Sequence, residues 1–120
     1  MTVIMYQLPW PPSLNRYYRT FKGRVLISKI GRDYRKSVIT SVGSSGMNLD
    51  GRLLVKICAY MPDNRRRDLD NLTKCLLDSM TYAKIWLDDS QIDNLQIIRK
   101  PVERGGRIVV SVSILDKENE

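Results

Sequence analysis

A run of β-branched and apolar residues from Val3 to Leu8, with a tyrosine inside it, predicts a first strand. Pro9-Trp10-Pro11-Pro12 ends that strand, because proline cannot donate to a ladder and holds its predecessor extended. Ser13 to Arg19 follows as a donor-rich loop, and Arg24 to Ile27 as one arm of a hairpin around Gly23. From Ser28, a candidate N-cap, apolar residues at Ile30, Tyr34, Val38 and Val42 step by four and predict a helix to about Val42. Gly43-Ser44-Ser45-Gly46 then reads as a flexible connector. Arg52 to Met61 is the strongest strand, apolar enough for burial on both sides, and Pro62-Asp63 stops it. A second helix is marked by Leu69, Leu72, Leu76, Met80 and Ala83, with Asp68 at the N-cap. After an acidic connection, Trp86-Leu87-Asp88-Asp89, two more strands cover Ile92 to Ile98 and Arg107 to Leu115. Joined through Pro101 and Gly105-Gly106, they are expected to pair as an antiparallel hairpin with one face less buried. Asp116 to Glu120 reads as a frayed polar tail.

Strand, loop, helix, strand, helix, strand, strand predicts an α/β or α+β fold, a mixed β-sheet flanked by two main helices. The 120 residues suit a single domain over 1–120. No apolar run is long enough for a membrane span, and the N-terminus lacks the pattern of a signal peptide, so a cytoplasmic location is expected by default. Cys58 and Cys75 sit in apolar-periodic segments without metal spacing and are expected as reduced core residues.

Charge changes the picture more than size does. Twenty Lys and Arg against thirteen Asp and Glu give a net +7. Between residues 16 and 36, eight cations (Arg16, Arg19, Lys22, Arg24, Lys29, Arg32, Arg35, Lys36) meet one acid, Asp33, so this segment carries the whole excess. Tyr17, Tyr18, Phe21 and Tyr34 are interleaved with them and can stack on bases or sugars. A localised basic excess with aromatics points to nucleic acid, ahead of a merely solvated face or an anionic membrane contact.

The candidate chemistry lies in Arg65-Arg66-Arg67-Asp68-Leu69-Asp70-Asn71-Leu72-Thr73-Lys74. Carboxylates without histidine suit a hard cation such as Mg²⁺, and the absence of any histidine excludes a His-based mechanism or a His-ligated zinc. Asp70 and Lys74 share a helical face, while Asp68 belongs to the entry of the helix. A further carboxylate is expected from Asp88-Asp89, the other acidic doublet. The links from Ala83 to Asp89 span at most ~20 Å when extended. A helix over 70–83 is itself ~20 Å long. Asp89 therefore reaches the first two acids only if the chain runs straight back along the helix, pinned by Trp86 and Leu87. In that arrangement Asp68, Asp70 and Asp89 hold one or two Mg²⁺ ions that activate water and stabilise the leaving 3′-oxygen, and Lys74 stabilises charge on the phosphoryl group. Taken singly, each group has a plainer reading: Asp68 as a cap, Asp70 and Lys74 as an ordinary helical ion pair, Asp88-Asp89 as a turn.

Three motifs in order, Pro9-Trp10-Pro11-Pro12-Ser13-x-Asn15-Arg16-Tyr17-Tyr18-Arg19, Arg65-Arg66-Arg67-Asp68-Leu69-Asp70-Asn71-Leu72-x-Lys74 and Trp86-Leu87-Asp88-Asp89-x-Gln91, resemble the RusA family of Holliday junction resolvases, as do the length and the closing Gly-Gly-Arg strand. The resemblance implies a RusA-like fold and a homodimeric, Mg²⁺-dependent endonuclease. Such an enzyme binds four-way junction DNA and resolves it by paired symmetric nicks in recombination and repair. It implies essential acids at Asp68, Asp70 and Asp89 and an essential lysine at Lys74. DNA contacts are implied at Ser13, Leu14, Asn15, Arg16 and Arg19, and along Asn64, Arg65, Arg66, Arg67, Leu69 and Asn71. A two-fold pair suits a junction needing two opposed incisions. The alternatives are a non-catalytic nucleic-acid-binding module whose acids only cap and turn, and a broader branched-DNA nuclease.

Overall fold

A computed structural model of the chain describes residues 3–43 and 47–115. The connector expected beyond Gly43 and the tail expected from Asp116 to Glu120 lie outside the described residues. Strand β1, Val3–Leu8, is followed by a one-turn helix α1, Leu14–Tyr17, and by strands β2, Tyr18–Phe21, and β3, Arg24–Ile27. Helix α2 spans Lys29–Val42, strand β4 Leu53–Tyr60 and helix α3 Asp70–Tyr82. A 3₁₀ turn at Asp89–Gln91 leads into β5, Ile92–Lys100, and β6, Arg107–Ile114, closes the fold.

Local chemistry explains most of these boundaries. The Ser28 side chain accepts a hydrogen bond from the Gly31 amide at 3.0 Å, which caps α2 as its position predicts. The helix stops at Gly43, whose φ of +65° suits a residue without a side chain. The buried stripe of α2 is Gly31, Tyr34, Val38 and Val42, and not the expected Ile30, which is 41% exposed. Gly31 enters the stripe because a Cβ there would stand 2.4 Å from the Tyr17 carbonyl oxygen. The helix start can press on α1 only with glycine at that place.

Four strands form one sheet in the order β1-β6-β4-β5. β6 lies antiparallel to both β1 and β4, whereas β4 and β5 are parallel, joined by α3 as a crossover. The expected β5–β6 hairpin therefore does not form. β4 lies between the two strands, and the 101–106 connection steps across its end, a distance of two strand spacings or ~10 Å. The expected two-sided burial of β4 is also corrected. Leu53, Val55, Ile57 and Ala59 are fully buried on one face, while Lys56 is exposed on the other. The reason is that both helices cover the same face. The core joins Tyr6 and Leu8 of β1 and Ile108, Val110 and Val112 of β6 with Tyr34, Val38 and Val42 of α2 and Leu72, Leu76 and Met80 of α3. On the open face Met5 is 65% exposed. Both cysteines are free, and burial pushes the Cys75 thiol up to about 12. Among the described residues no helix is long and apolar enough to cross a membrane.

Candidate active site

The carboxyl end of β4 delivers the chain into the 61–69 loop, where Asp63 organises the arginines that follow. Its carboxylate accepts from the Arg65 amide at 2.9 Å and from the Arg67 guanidinium at 2.5 and 3.2 Å. Those Arg67 hydrogen bonds, helped by the Arg65 amide, hold the Asp63 carboxyl down at about 2. The Arg67 carbonyl in turn accepts from Arg99 of β5 at 2.5 Å. Arg67 also stands 6.0 Å over the Trp10 ring. So Arg67 is bound into the loop, while Arg66 is exposed and makes no ion pair among the described residues.

Trp10, Pro11 and Ser13, arriving from β1, face this loop across a cleft of about 280 Å³ whose other walls are Arg66, Arg67, Asp68, Asn71 and Leu72. The cleft thus gathers sequence-predicted residues from both halves of the expected DNA contact: Ser13 from one, Arg66, Arg67 and Asn71 from the other. Asn15 and Arg16 lie exposed on α1 next to it, with Leu14 half-buried. Arg19 lies farther out on β2, and Asn64 and Arg65 lie on the opposite side of the loop, in a second hollow with Arg99 and Lys100. Leu69 is half-buried against the core.

Asp68 and Asp70, unlike Asp63, make no ion pair among the described residues. Asp68 is exposed, and the N-cap position of α3 belongs to Leu69, with no side-chain cap bond. The expectation of Asp68 as cap is therefore wrong. Asp70 opens the helix, exposed at the positive end of its dipole. Lys74 follows one turn later on the same face but makes no ion pair with Asp70 among the described residues. Its ammonium stands instead 5.2 Å over the Tyr18 ring. Tyr18 meets the Tyr17 ring edge-on, with 4.8 Å between centroids. Asp68, Asp70 and Lys74 are thus two carboxylates and an ammonium without an ion-pair partner among the described residues.

Asp88 and Asp89 separate cleanly. Asp88 is spent on a capping box: its carboxylate takes Ser90, while the Gln91 side chain accepts the Asp88 amide at 2.8 Å. Asp89 is exposed, with no side-chain partner among the described residues. Yet it does not return to Asp68 and Asp70. Gln91 donates to the carbonyls of Leu49 and Gly51, at the amino end of β4, and Ile92 pairs with Leu53 there. Thirteen residues of α3 separate that end from Asp70, ~20 Å at 1.5 Å per residue. Among the described residues no three acids lie close enough for one ion. The crossover geometry overrides the expected fold-back, because a strand parallel to β4 must begin where β4 begins. Asp68 and Asp70 alone fit a Mg²⁺ that keeps water and takes phosphate oxygens as its other ligands; the three-acid set does not fit within one chain.

Two aromatic expectations also change. Tyr17 and Tyr34 are buried, so neither can stack on a base. The Tyr17 hydroxyl sits among Asp78, Ser79 and Arg35, and burial, with the Asp78 contact, raises it well above the usual range. Tyr18, expected as a stacking aromatic, lies beneath Lys74, while Trp10 and Leu72, as walls of the cleft, are residues the pattern did not mark for the site; the proline run around Trp10 was the available signal.

Comparison with known proteins bears on the same residues. The family described as endodeoxyribonuclease RusA matches residues 9–113. A crossover junction endodeoxyribonuclease of Enterobacteria phage 82 is 43% identical over 113 residues, covering 92% of this chain and 94% of that one. The crossover junction endodeoxyribonucleases of Shigella sonnei (strain Ss046) and Escherichia coli (strain K12) are 41% and 40% identical over 120 residues, covering 98% of this chain and all of theirs.

Proposed function

The chain belongs to the RusA family of endodeoxyribonucleases, and on that premise we propose that it resolves Holliday junctions by Mg²⁺-dependent paired nicks, as a homodimer acting on cytoplasmic DNA in recombination and repair. The observation that carries the reading is that Asp68 lines a cleft with Arg66, Arg67 and Asn71, while Asp70 and Lys74 share a face of the helix that starts beside it, none of the three in an ion pair among the described residues.

In this reading the cleft binds the DNA backbone. Arg66 and Asn71 reach phosphate oxygens, and the bound Arg67 with Trp10 shapes the wall. Asp68 and Asp70 hold Mg²⁺, which when bound lowers the pKa of water and neutralises phosphate charge. Lys74, kept free of carboxylates by its seat on Tyr18, directs its ammonium to a non-bridging oxygen and offsets charge as the phosphoryl group expands. Asp89 acts across a two-fold axis. The exposed face of α3 includes Lys74, flanked by half-buried Thr73, Leu77 and Thr81. If two copies meet along this face about a two-fold axis perpendicular to α3, the two helices run antiparallel and Asp89 of the partner subunit comes beside Asp70. Two sites then lie about one helix length apart, one for each strand to be cut.

A four-way junction incubated with the protein and Mg²⁺ and run on a denaturing gel tests this. Expected are matched nicks in opposed strands, absent without the metal. They are also absent in Asp70→Asn, which keeps its binding. Binding with no scission by the unaltered protein would sink the resolvase reading, and equal cutting of junction, fork and linear duplex would reduce it to a general nuclease.

A further inference from the structure

Three exposed cations of the basic segment, Arg19, Lys22 and Arg24, lie on the β2–β3 hairpin, a two-stranded sheet of its own. Its root is clamped. The buried Tyr17 gives its carbonyl to the Ser28 amide and to the Ser28 hydroxyl, each at 2.9 Å, and Tyr18 lies beneath the Lys74 ammonium. Beyond the root every residue from Arg19 to Val25 is exposed, so the arm stands clear of the core. The tip is Lys22-Gly23, with φ of +51° and +75°, the left-handed pair of a tight two-residue turn. Asparagine or glycine ordinarily fills the first of those places, so a lysine there keeps its charge at the tip against a conformational preference.

On this arm sits the chain's single phenylalanine. Phe21 is 52% exposed, with the Arg19 guanidinium 5.6 Å and the Lys22 ammonium 5.5 Å from its ring centre. Arg24 pairs directly opposite it across the hairpin. An uncovered aromatic ring among three cations, with no acid on the arm, contributes nothing to the core. It is complementary to DNA, the cations to phosphates and the ring to the face of a base.

We propose that this hairpin is a branch-point probe, in which Phe21 stacks on a base unstacked at the centre of the junction while Arg19, Lys22 and Arg24 hold the flanking phosphates. The inference rests on the junction-resolving reading and adds to it a means of telling a junction from a duplex. From Tyr18 to Phe21 the arm advances ~10 Å, about three nucleotide steps at ~3.4 Å each. With Tyr18 against Lys74, the ring therefore meets DNA within a few nucleotides of the bond being cut. A base at the branch point has lost one stacking neighbour and can be drawn out onto the ring, whereas in continuous duplex stacking on both faces must be broken.

The test uses a four-way junction carrying 2-aminopurine at the branch, bound by the full chain with Asp70→Asn so that the DNA stays intact. The fluorescence is expected to rise on binding. Adding Phe21→Ala should abolish the rise and weaken junction affinity about ten-fold, within the range of a lost base–aromatic stack, while duplex affinity and its salt dependence stay unchanged. Phe21→Trp should restore both. The exposed position makes misfolding an unsuitable explanation for any loss. The proposal is overturned if Phe21→Ala raises the fluorescence as its parent does, or weakens junction and duplex binding equally. A parent that prefers junctions but leaves the fluorescence unchanged overturns the proposal alone; a parent without junction preference overturns the resolvase reading with it.

Discussion

Asp63 does not line the cleft, yet it decides which arginine there is free of an ion pair. By holding Arg67 and the Arg65 amide it leaves Arg66 exposed at the cleft. The arginine run and the acids were legible in the sequence, but not their division of labour. Asp63 and Asp88 are structural, while Asp68, Asp70 and Asp89 have no ion pair among the described residues, and only hydrogen-bond geometry separates neighbours of the same type. This division has a measurable signature. Because the folded Asp63 carboxyl lies below its ordinary 3.8, at about 2, its pairing favours the folded state fully above pH ~4 and loses that contribution as pH falls through about 2. A carboxyl-carbon NMR titration should therefore give Asp63 a midpoint near 2 in the native protein. In Arg67→Ala the midpoint should move up toward 3.8, since the first cause of the depression is gone. A midpoint indifferent to Arg67 would mean that the loop is not built as described.

At the scale of elements, the long periodic segments are legible in the sequence, and so is the short hairpin arm Arg24–Ile27 around Gly23, whereas the one-turn helix α1 and the strand order are not. Strand β1 and the capped helix α2 occupy the residues their patterns predict. Four residues make too little of a period to mark α1, and no local signal tells a six-residue connection that it must step over a strand instead of turning back. Nor does sequence reveal how α1, α2 and α3 are tied. Arg35 of α2 donates to the Tyr17 hydroxyl at 2.9 Å and to Asp78 of α3 at 2.6 Å, and Tyr17 donates to the same carboxylate. Asp78 is thus the common acceptor that fixes α1 to the helix carrying Asp70 and Lys74. Asp78→Ala should leave the Tyr17 hydroxyl and a largely covered guanidinium without their acceptor, costing about 1–2 kcal/mol of stability, read as a lower urea midpoint at unchanged slope. The same variant should weaken junction binding without abolishing Mg²⁺-dependent cutting. A variant as stable as the parent would show that the network is solvated and not structural.

At the scale of the whole molecule, the sequence placed three acids in one site and the fold keeps two of them at one end of α3 and the third at the other. Chain reach allowed the fold-back; the parallel pairing of β4 with β5 forbids it, and that pairing is invisible to any count of residues. An exposed, unengaged Asp89 so far from Asp70 is either idle or completed by a second copy. Mixing two inactive proteins separates these cases. Asp70→Asn and Asp89→Asn are each expected to cut no junction alone. In a mixed dimer joined through the α3 faces, the Asp89→Asn subunit supplies Asp68 and Asp70 to one site and the Asp70→Asn subunit supplies Asp89 to that same site. One complete site and one doubly altered site result. Random exchange makes half the dimers mixed, and each of these has one working site instead of two, so the mixture should give single-strand nicks at about a quarter of the unaltered protein's first-strand rate, with no paired resolution. Were all three acids to act within one chain, every mixed dimer would carry two damaged sites and the mixture would stay inert. Recovery of single nicks without paired ones thus requires both the two-fold assembly and the division of each site between subunits.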